Sequence, residues 1–399
     1  MTTPAATSIW HNHDFTKIWA GETVSLIGNQ ITVFALPLVA ILTLHASVIQ
    51  VGILSALRLL PVVIFSLLAG VWLDRRRRRP IMIACSVGNG LLIGLVPLCS
   101  AFDALSMPLL YAVTFLVGAL SVVFDVGVLT YMPSVVDREH LSASNSRMQS
   151  SLSLSMIAGP GLAGVLIGIL TAPITLTADA VSYFCSAAGL ISIRKPEPPP
   201  EVPAERPTIR ASIAEGLRAV YGHPILRNLL GLSGTFNFVQ AGFATIFVVY
   251  GIRDLHLSAF QLGVVLGFIA IGGLIGASCT QRIAKRFGVG PTMLVGLGSA
   301  TLFPALLLIP RGNGLAAVIA MCAIHFCYGF CVLTFNVHSI TVRQVVTPNR
   351  LLGRMNASYR LVLFGTSPPG AFIAGALGES FGLRTALVIG VIAFPMAIG

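Results

Sequence analysis

Residues 47–52 read SVIQVG, and residues 258–263 read SAFQLG. The two hexamers lie 211 positions apart, and the same offset recurs along the chain. Pro80 answers Pro291, Phe115 and Gly118 answer Phe326 and Gly329, and FDV at 124–126 answers FNV at 335–337. Leu141 and Asn145 answer Leu352 and Asn356, while Gly159 and Gly164 answer Gly370 and Gly375. One ungapped register over such a distance marks an internal duplication.

What is duplicated follows from composition. Of 399 residues, 55% are hydrophobic and only 10% charged, with a mean hydropathy of +0.88. A soluble domain of this length needs far more charged surface. Apolar runs of roughly 20 residues recur throughout, each long enough for a bilayer core of ~30 Å. A segment in lipid must satisfy its own backbone hydrogen bonds, so the runs are read as helices. The expected spans are 18–44, 48–73, 80–102, 107–134, 146–170, 173–193, 226–251, 258–280, 290–310, 314–341, 356–378 and 384–399. The last is short, about 24 Å as a helix, and is read as a truncated span.

The reading is an all-α membrane protein of twelve transmembrane helices in two six-helix repeats. Six is an even number, so both repeats enter from the same side and are parallel, related by an axis along the membrane normal. Residues 1–193 form the first bundle and 226–399 the second. Between them, RKPEPPPEVPAERP at 194–207 suits an extended linker. Within 194–225, Ile209, Ile213, Leu217 and Val220 fall at helical spacing among Arg210, Glu215 and Arg218. That pattern predicts an amphipathic surface helix.

Charge gives an orientation. Arg75–Arg79 lie between spans 2 and 3; Arg194, Lys195, Arg206, Arg210 and Arg218 between spans 6 and 7. Arg282, Lys285 and Arg286 follow span 8, and Arg343, Arg350 and Arg354 follow span 10. The opposite loops carry only Arg253, Arg311 and Arg384. The positive-inside rule puts both termini in the cytoplasm. The net charge of +11 is thereby explained without nucleic acid, which would need a soluble basic face. The stretch TSIWHNHDFTK does not read as a cleavable signal. A strong excess of arginine over lysine suggests a GC-rich bacterial gene, hence a bacterial cell membrane.

Gly70-x-x-x-Asp74-Arg75, followed by Arg78 and Arg79, resembles the signature of the major facilitator superfamily between its spans 2 and 3, with Arg77 where the family usually has glycine. NRLLGRMNASYRLVLFGTSPPGAFIAGALGESFGLR, FDVGVLTYMPSVV and EGLRAVYGHPILRNL resemble the branch of enterobactin exporters and macrolide-efflux proteins. The similarity runs from about residue 15 to residue 384. It implies export of a small molecule, driven by protons.

Within that frame Asp74 is a candidate latch with Gly70 and Arg75. A carboxylate there can cap the N-terminus of a neighbouring helix, which the resemblance places at span 11. Alternatively, Asp74 only flanks an arginine cluster that sets topology. The adjoining arginines have acids within reach in nearby loops, such as Asp137 or Glu139. In span 5, Gly159, Pro160 and Gly164 partly match a motif that the superfamily associates with antiporters, with Ala163 replacing one glycine. They form either a hinge or a plain packing kink.

Asp125 in span 4 is the leading proton carrier, because an acid inside a membrane faces a cavity or a partner. The repeat sets Asn336 opposite it. Glu22 is a second candidate, whereas Asp179 reads as structural and Arg58 needs a partner that the sequence does not name. Asn29, Gln30, Asn237 and Gln240, with Asn336, are candidate cavity residues: amides among aromatics suit an amphiphilic substrate. The alternative for them is interhelical hydrogen bonding.

No catalytic cluster, metal set or phosphate-binding loop stands out, so no enzyme and no cofactor is expected. His325, Cys327 and Cys331 do not share one helix face. The expected partners are substrate, protons and lipid, with the chain a monomer. An importer using the same machinery and a membrane receptor or scaffold that moves nothing are the rival readings.

Overall fold

The computed structural model describes residues 12–73, 75–197, 209–348 and 351–396. Asp74, the expected latch acid, lies outside the described residues. Among those residues the chain is helical. The first repeat comprises α1 (His13–Leu38), α2 (Val48–Leu73), α3 (Arg78–Ala101), α4 (Met107–Val135), α5 (Leu141–Ile169) and α6 (Ala172–Ile191). Most of the expected extended linker, 198–207, lies outside the described residues; next come α7 (Ile209–Gly222), α8 (Pro224–Arg253), α9 (Ala259–Phe287), α10 (Val289–Leu306) and α11 (Leu315–Val346). Then α12 (Leu352–Gly365), α13 (Ser367–Phe381) and α14 (Leu383–Met396) complete the chain. Eleven segments are long and apolar enough to cross a membrane, counting α12 and α13 as one, and α14 supplies a shorter apolar helix. The protein is a multi-pass membrane protein of twelve spans.

The duplication is visible in the backbone. Ser47 and Gln50 bond each other's main chain at the start of α2, with Ser47 N–H to Gln50 Oε1 at 2.8 Å and Gln50 N–H to Ser47 Oγ at 3.4 Å. Ser258 and Gln261 repeat this reciprocal cap on α9, at 2.9 and 3.2 Å. Just upstream, His45 and His256 take the same left-handed turn, with φ of 50° and 52°. The hexamers at 47 and 258 are therefore helix starts of one design.

Expected span 11 is not one helix. It divides at Thr366 into α12 and α13. Pro368 and Pro369 have no N–H to offer the carbonyls of Phe364 and Gly365, so the ladder lapses there. The amphipathic linker helix is present as α7, and it packs on α12. A Cβ at Gly216 would overlap the Arg354 carbonyl and the Ser358 hydroxyl, and Glu215 pairs with Arg354. Gly216→Leu is therefore expected to lift α7 off α12 at a cost of ~1–3 kcal/mol. Faster hydrogen exchange confined to 209–222 would show it.

Core packing distinguishes the two faces of the bundle. On the face away from the arginine loop, one buried cluster joins both repeats: Phe34, Ala35, Val51 and Leu54 with Ile246, Phe247, Leu262 and Val265. Toward the arginine loop the core separates. Phe15, Met82 and Tyr131 belong to a cluster of the first repeat, and Val220, Leu226, Met355 and Tyr359 to one of the second. Among the described residues the repeats are thus sealed together on one face and packed separately on the other.

The loop charges are tied down locally. Glu197 accepts the N–H groups of Arg78 at 2.6 Å and Arg79 at 3.1 Å, capping α3. The Arg79 guanidinium donates to the carbonyls of Leu190 and Ile191 at 2.9 and 2.8 Å, at the end of α6. Among the described residues the Arg79 side chain is thus engaged by the end of α6 and not by Asp137 or Glu139: the carbonyls at a helix C-terminus carry the negative end of its dipole.

Candidate functional site between the repeats

Two seams make the seal, and they are repeat equivalents. At the first, α2 meets α13: a Cβ on Gly52 would lie 2.9 Å from Gly375 Cα and 3.1 Å from the Ala371 carbonyl. At the second, α5 meets α9: a Cβ on Gly164 would lie 2.7 Å from the Ala259 carbonyl, and one on Gly263 would overlap the Pro160 carbonyl. Glycine is required at both because backbone meets backbone. Glu379, at the end of α13, adds a contact found at the first seam. Its Oε2 accepts the N–H groups of Val48 at 2.8 Å and Ile49 at 3.3 Å. A carboxylate of the second repeat thus caps the α2 N-terminus in the first, where the helix dipole is positive. Arg253 also crosses the seal, donating to the Ala46 carbonyl at 2.5 Å.

Behind the seal lies a central cavity of about 360 Å³. Gln30 and Phe34 of α1, Ser55 and Arg58 of α2, Pro160 of α5, Asn237 and Gln240 of α8, and Phe364 of α12 are among its lining. A second chamber of about 250 Å³ lies between α2, α4 and α12, with Asp125 and Arg360 in its wall. Phe364 lines both. It lies beside the Thr366 break, and the Arg360 guanidinium stands 5.6 Å from its ring centroid.

Spans of this kind, doubled in parallel about a central hollow, are matched by the family model of the Major Facilitator Superfamily over residues 18–371. The chain belongs to that superfamily. The multidrug efflux pump Tap of Mycolicibacterium fortuitum is 26% identical over 382 residues, covering 93% of this chain and 90% of Tap. The enterobactin exporter EntS of Citrobacter koseri is 24% identical over 369 residues, covering 91% and 85%. Among solved structures, the nucleoside transporter NupG superposes with a TM-score of 0.77 at 11% identity, covering 96% and 97%.

In this facilitator the sequence-derived candidates are distributed unevenly. Gln30, Asn237 and Gln240 share the central cavity with Pro160. Gln240 is hydrogen-bonded to Tyr328, which fixes its amide. Asn29 is half-buried and Asn336 exposed, and neither is among the residues that line the two chambers. Asp125 is paired by chamber with Arg360, not with its repeat counterpart Asn336, because α12 and not α11 crosses that wall. Glu22 is buried on α1 within electrostatic reach of Asp125. Asp179 is fully buried and accepts hydrogen bonds from Thr32 and, at 2.9 Å, from Ser182. Gly159 faces Gln30 across the α1–α5 contact, and α5 runs unbroken through Pro160. Gly70 is open, with nothing within 4 Å of a Cβ built there, and Arg75 is exposed.

Arg360, Glu379 and Phe364 were not singled out by sequence. For the first two a signal existed: an ionisable residue within or at the end of an apolar span. The described residues contain no cluster of three His, Cys, Asp or Glu able to hold a metal. His325 is buried instead, bonding the Met321 carbonyl at 2.9 Å and resting on Phe247 at 4.9 Å.

Proposed function

We propose that the protein is a proton-coupled exporter that moves a small amphiphilic organic molecule by alternating access. The observation that carries this reading is the chamber between the repeats, in which an intramembrane acid, Asp125, stands with Arg360 and within reach of the buried Glu22. An acid open to a chamber exchanges protons, and a facing cation supplies a competing partner, so protonation biases one arrangement of the repeats over the other. The mixed polar and aromatic cavity behind it supports an amphiphilic cargo. The names of Tap and EntS support outward transport.

The arginine-bearing loops mark the separated face as cytoplasmic by the positive-inside rule. On that orientation the structure is inward-facing, both termini are cytoplasmic and the membrane is the bacterial cell membrane. Residues 1–193 and 226–399 act as the two rocking units, as monomers. Gly70, Asp74 and Arg75 would latch the cytoplasmic face when it closes, and Gly159, Pro160 and Gly164 would ease the movement of α5 against α9. The cycle needs no cofactor and no catalytic centre.

A panel of antibiotics and siderophores, scored for retention in cells with and without the gene, supplies a transported compound. In inverted vesicles that compound should accumulate when a proton gradient is imposed. Asp125→Asn should abolish the gradient-driven flux while leaving downhill exchange. Flux through Asp125→Asn that still follows the gradient would remove the proton role, and accumulation only in right-side-out vesicles would make the protein an importer.

A further inference from the structure

We infer that Arg58 is the anchor for an oxyanion on the transported molecule, so that the cargo is an anionic amphiphile. This rests on the reading of the central cavity as the cargo site. Arg58 sits ten residues into α2, about 15 Å along the helix, which places a full positive charge near mid-membrane. It lines the cavity, and among the described residues no aspartate or glutamate lines it with it. Among the described residues it forms no ion pair and no hydrogen bond. Two other intramembrane charges have polar or charged groups of the chain beside them. Arg360 has Asp125 in the second chamber, and Asp179 has Thr32 and Ser182.

A cation held inside the hydrocarbon region is expensive unless water or an anion meets it. Water serves while the cavity is open. When the repeats close over a cargo, that water leaves, and the cargo must take its place. A carboxylate, sulfonate or phenolate would form charge-assisted hydrogen bonds with the guanidinium. A cationic cargo would put two like charges in one dry chamber. Gln30, Asn237 and Gln240 offer neutral hydrogen bonds to the rest of a polar head, and Phe34 and Phe364 offer apolar faces to a ring. The volume of about 360 Å³ is at the small end of ligand cavities.

Three probes of one shape separate charge from fit: 1-pyrenebutyric acid, its methyl ester and 1-pyrenebutylamine. Binding is read by equilibrium dialysis against the purified protein in nanodiscs, with protein-free nanodiscs as baseline and no proton gradient. The acid is expected to bind more tightly than the ester, and the amine most weakly. Arg58→Gln should weaken the acid ~10–100-fold, the range for hydrogen bonds to a charged group, and leave the ester unchanged, which also reports that the cavity is intact. Arg58→Lys should recover part of the preference. Equal affinity for acid and ester in the unaltered protein, binding of no probe, or a preference that survives Arg58→Gln overturns the inference. Because no gradient is applied, failure of proton coupling at Asp125 leaves this result untouched, and a failed Arg58 leaves gradient-driven flux to be measured separately.

Discussion

Glu379→Ala is expected to loosen the sealed face and shift the resting population about 10–100-fold toward the arrangement open on that side. The contact it removes is specific to one state. Glu379 belongs to the second repeat, and the Val48 and Ile49 N–H groups it accepts belong to the first. When the face parts, the carboxylate and the α2 N-terminus separate and both return to water. The bond energy therefore counts in full toward the difference between states. Hydrogen bonds to a charged acceptor contribute ~1.5–3 kcal/mol, and each 1.4 kcal/mol is about tenfold in population. Spin labels at Leu42 and Ile309, exposed positions in different repeats, would report the change. The expected result is a new long-distance population in Glu379→Ala. An unaltered distance distribution would reduce Glu379 to a local cap.

The second large effect falls on folding. Gly28→Leu should destabilise the first repeat by roughly 3–5 kcal/mol, combining overpacking with loss of a charged hydrogen-bond set. A Cβ at Gly28 would overlap the Ser182 hydroxyl and Asp179 Oδ1. Asp179 is the carboxylate that Thr32 and Ser182 satisfy in the contact between α1 and α6. A side chain there must displace a buried acid from its donors, and α1 cannot retreat because Gly21 also lies close on α6, its Cβ position 3.2 Å from Ser186 Cα. Lower yield of monodisperse protein and a lower midpoint in thermal unfolding would follow. A variant as stable as the parent would show that α1 and α6 can repack.

Much of the architecture is legible in the sequence because lipid permits so little else. Apolar length gives the helices, and the 211-residue offset gives their parallel doubling, which the matched caps at Ser47 and Ser258 explain in hydrogen bonds. The break at Thr366 was also written there, in Pro368 and Pro369, yet apolar length alone conceals it. The pairing of charges is different. Asp125 and Arg360 are brought to one chamber by the packing of one repeat against the other, and symmetry points from Asp125 to Asn336 instead. Glu379 has Gly168 as its repeat counterpart, so its cap on α2 breaks the symmetry that revealed the fold. Arg58 can be recognised in sequence as a charge in need of a partner, but that the partner must come from outside the chain follows only from the acid-free wall around it.

Phe364 borders both chambers at the point where its helix breaks. If cargo moves as proposed, a single aromatic ring there would act as a turnstile, with what docks and what passes judged at separate places. Molecules bulky enough to jam it, yet shaped to settle above it, would be carried nowhere. On the proposed transport reading such compounds define a route to inhibitors, found by sorting tight binders for those that never cross.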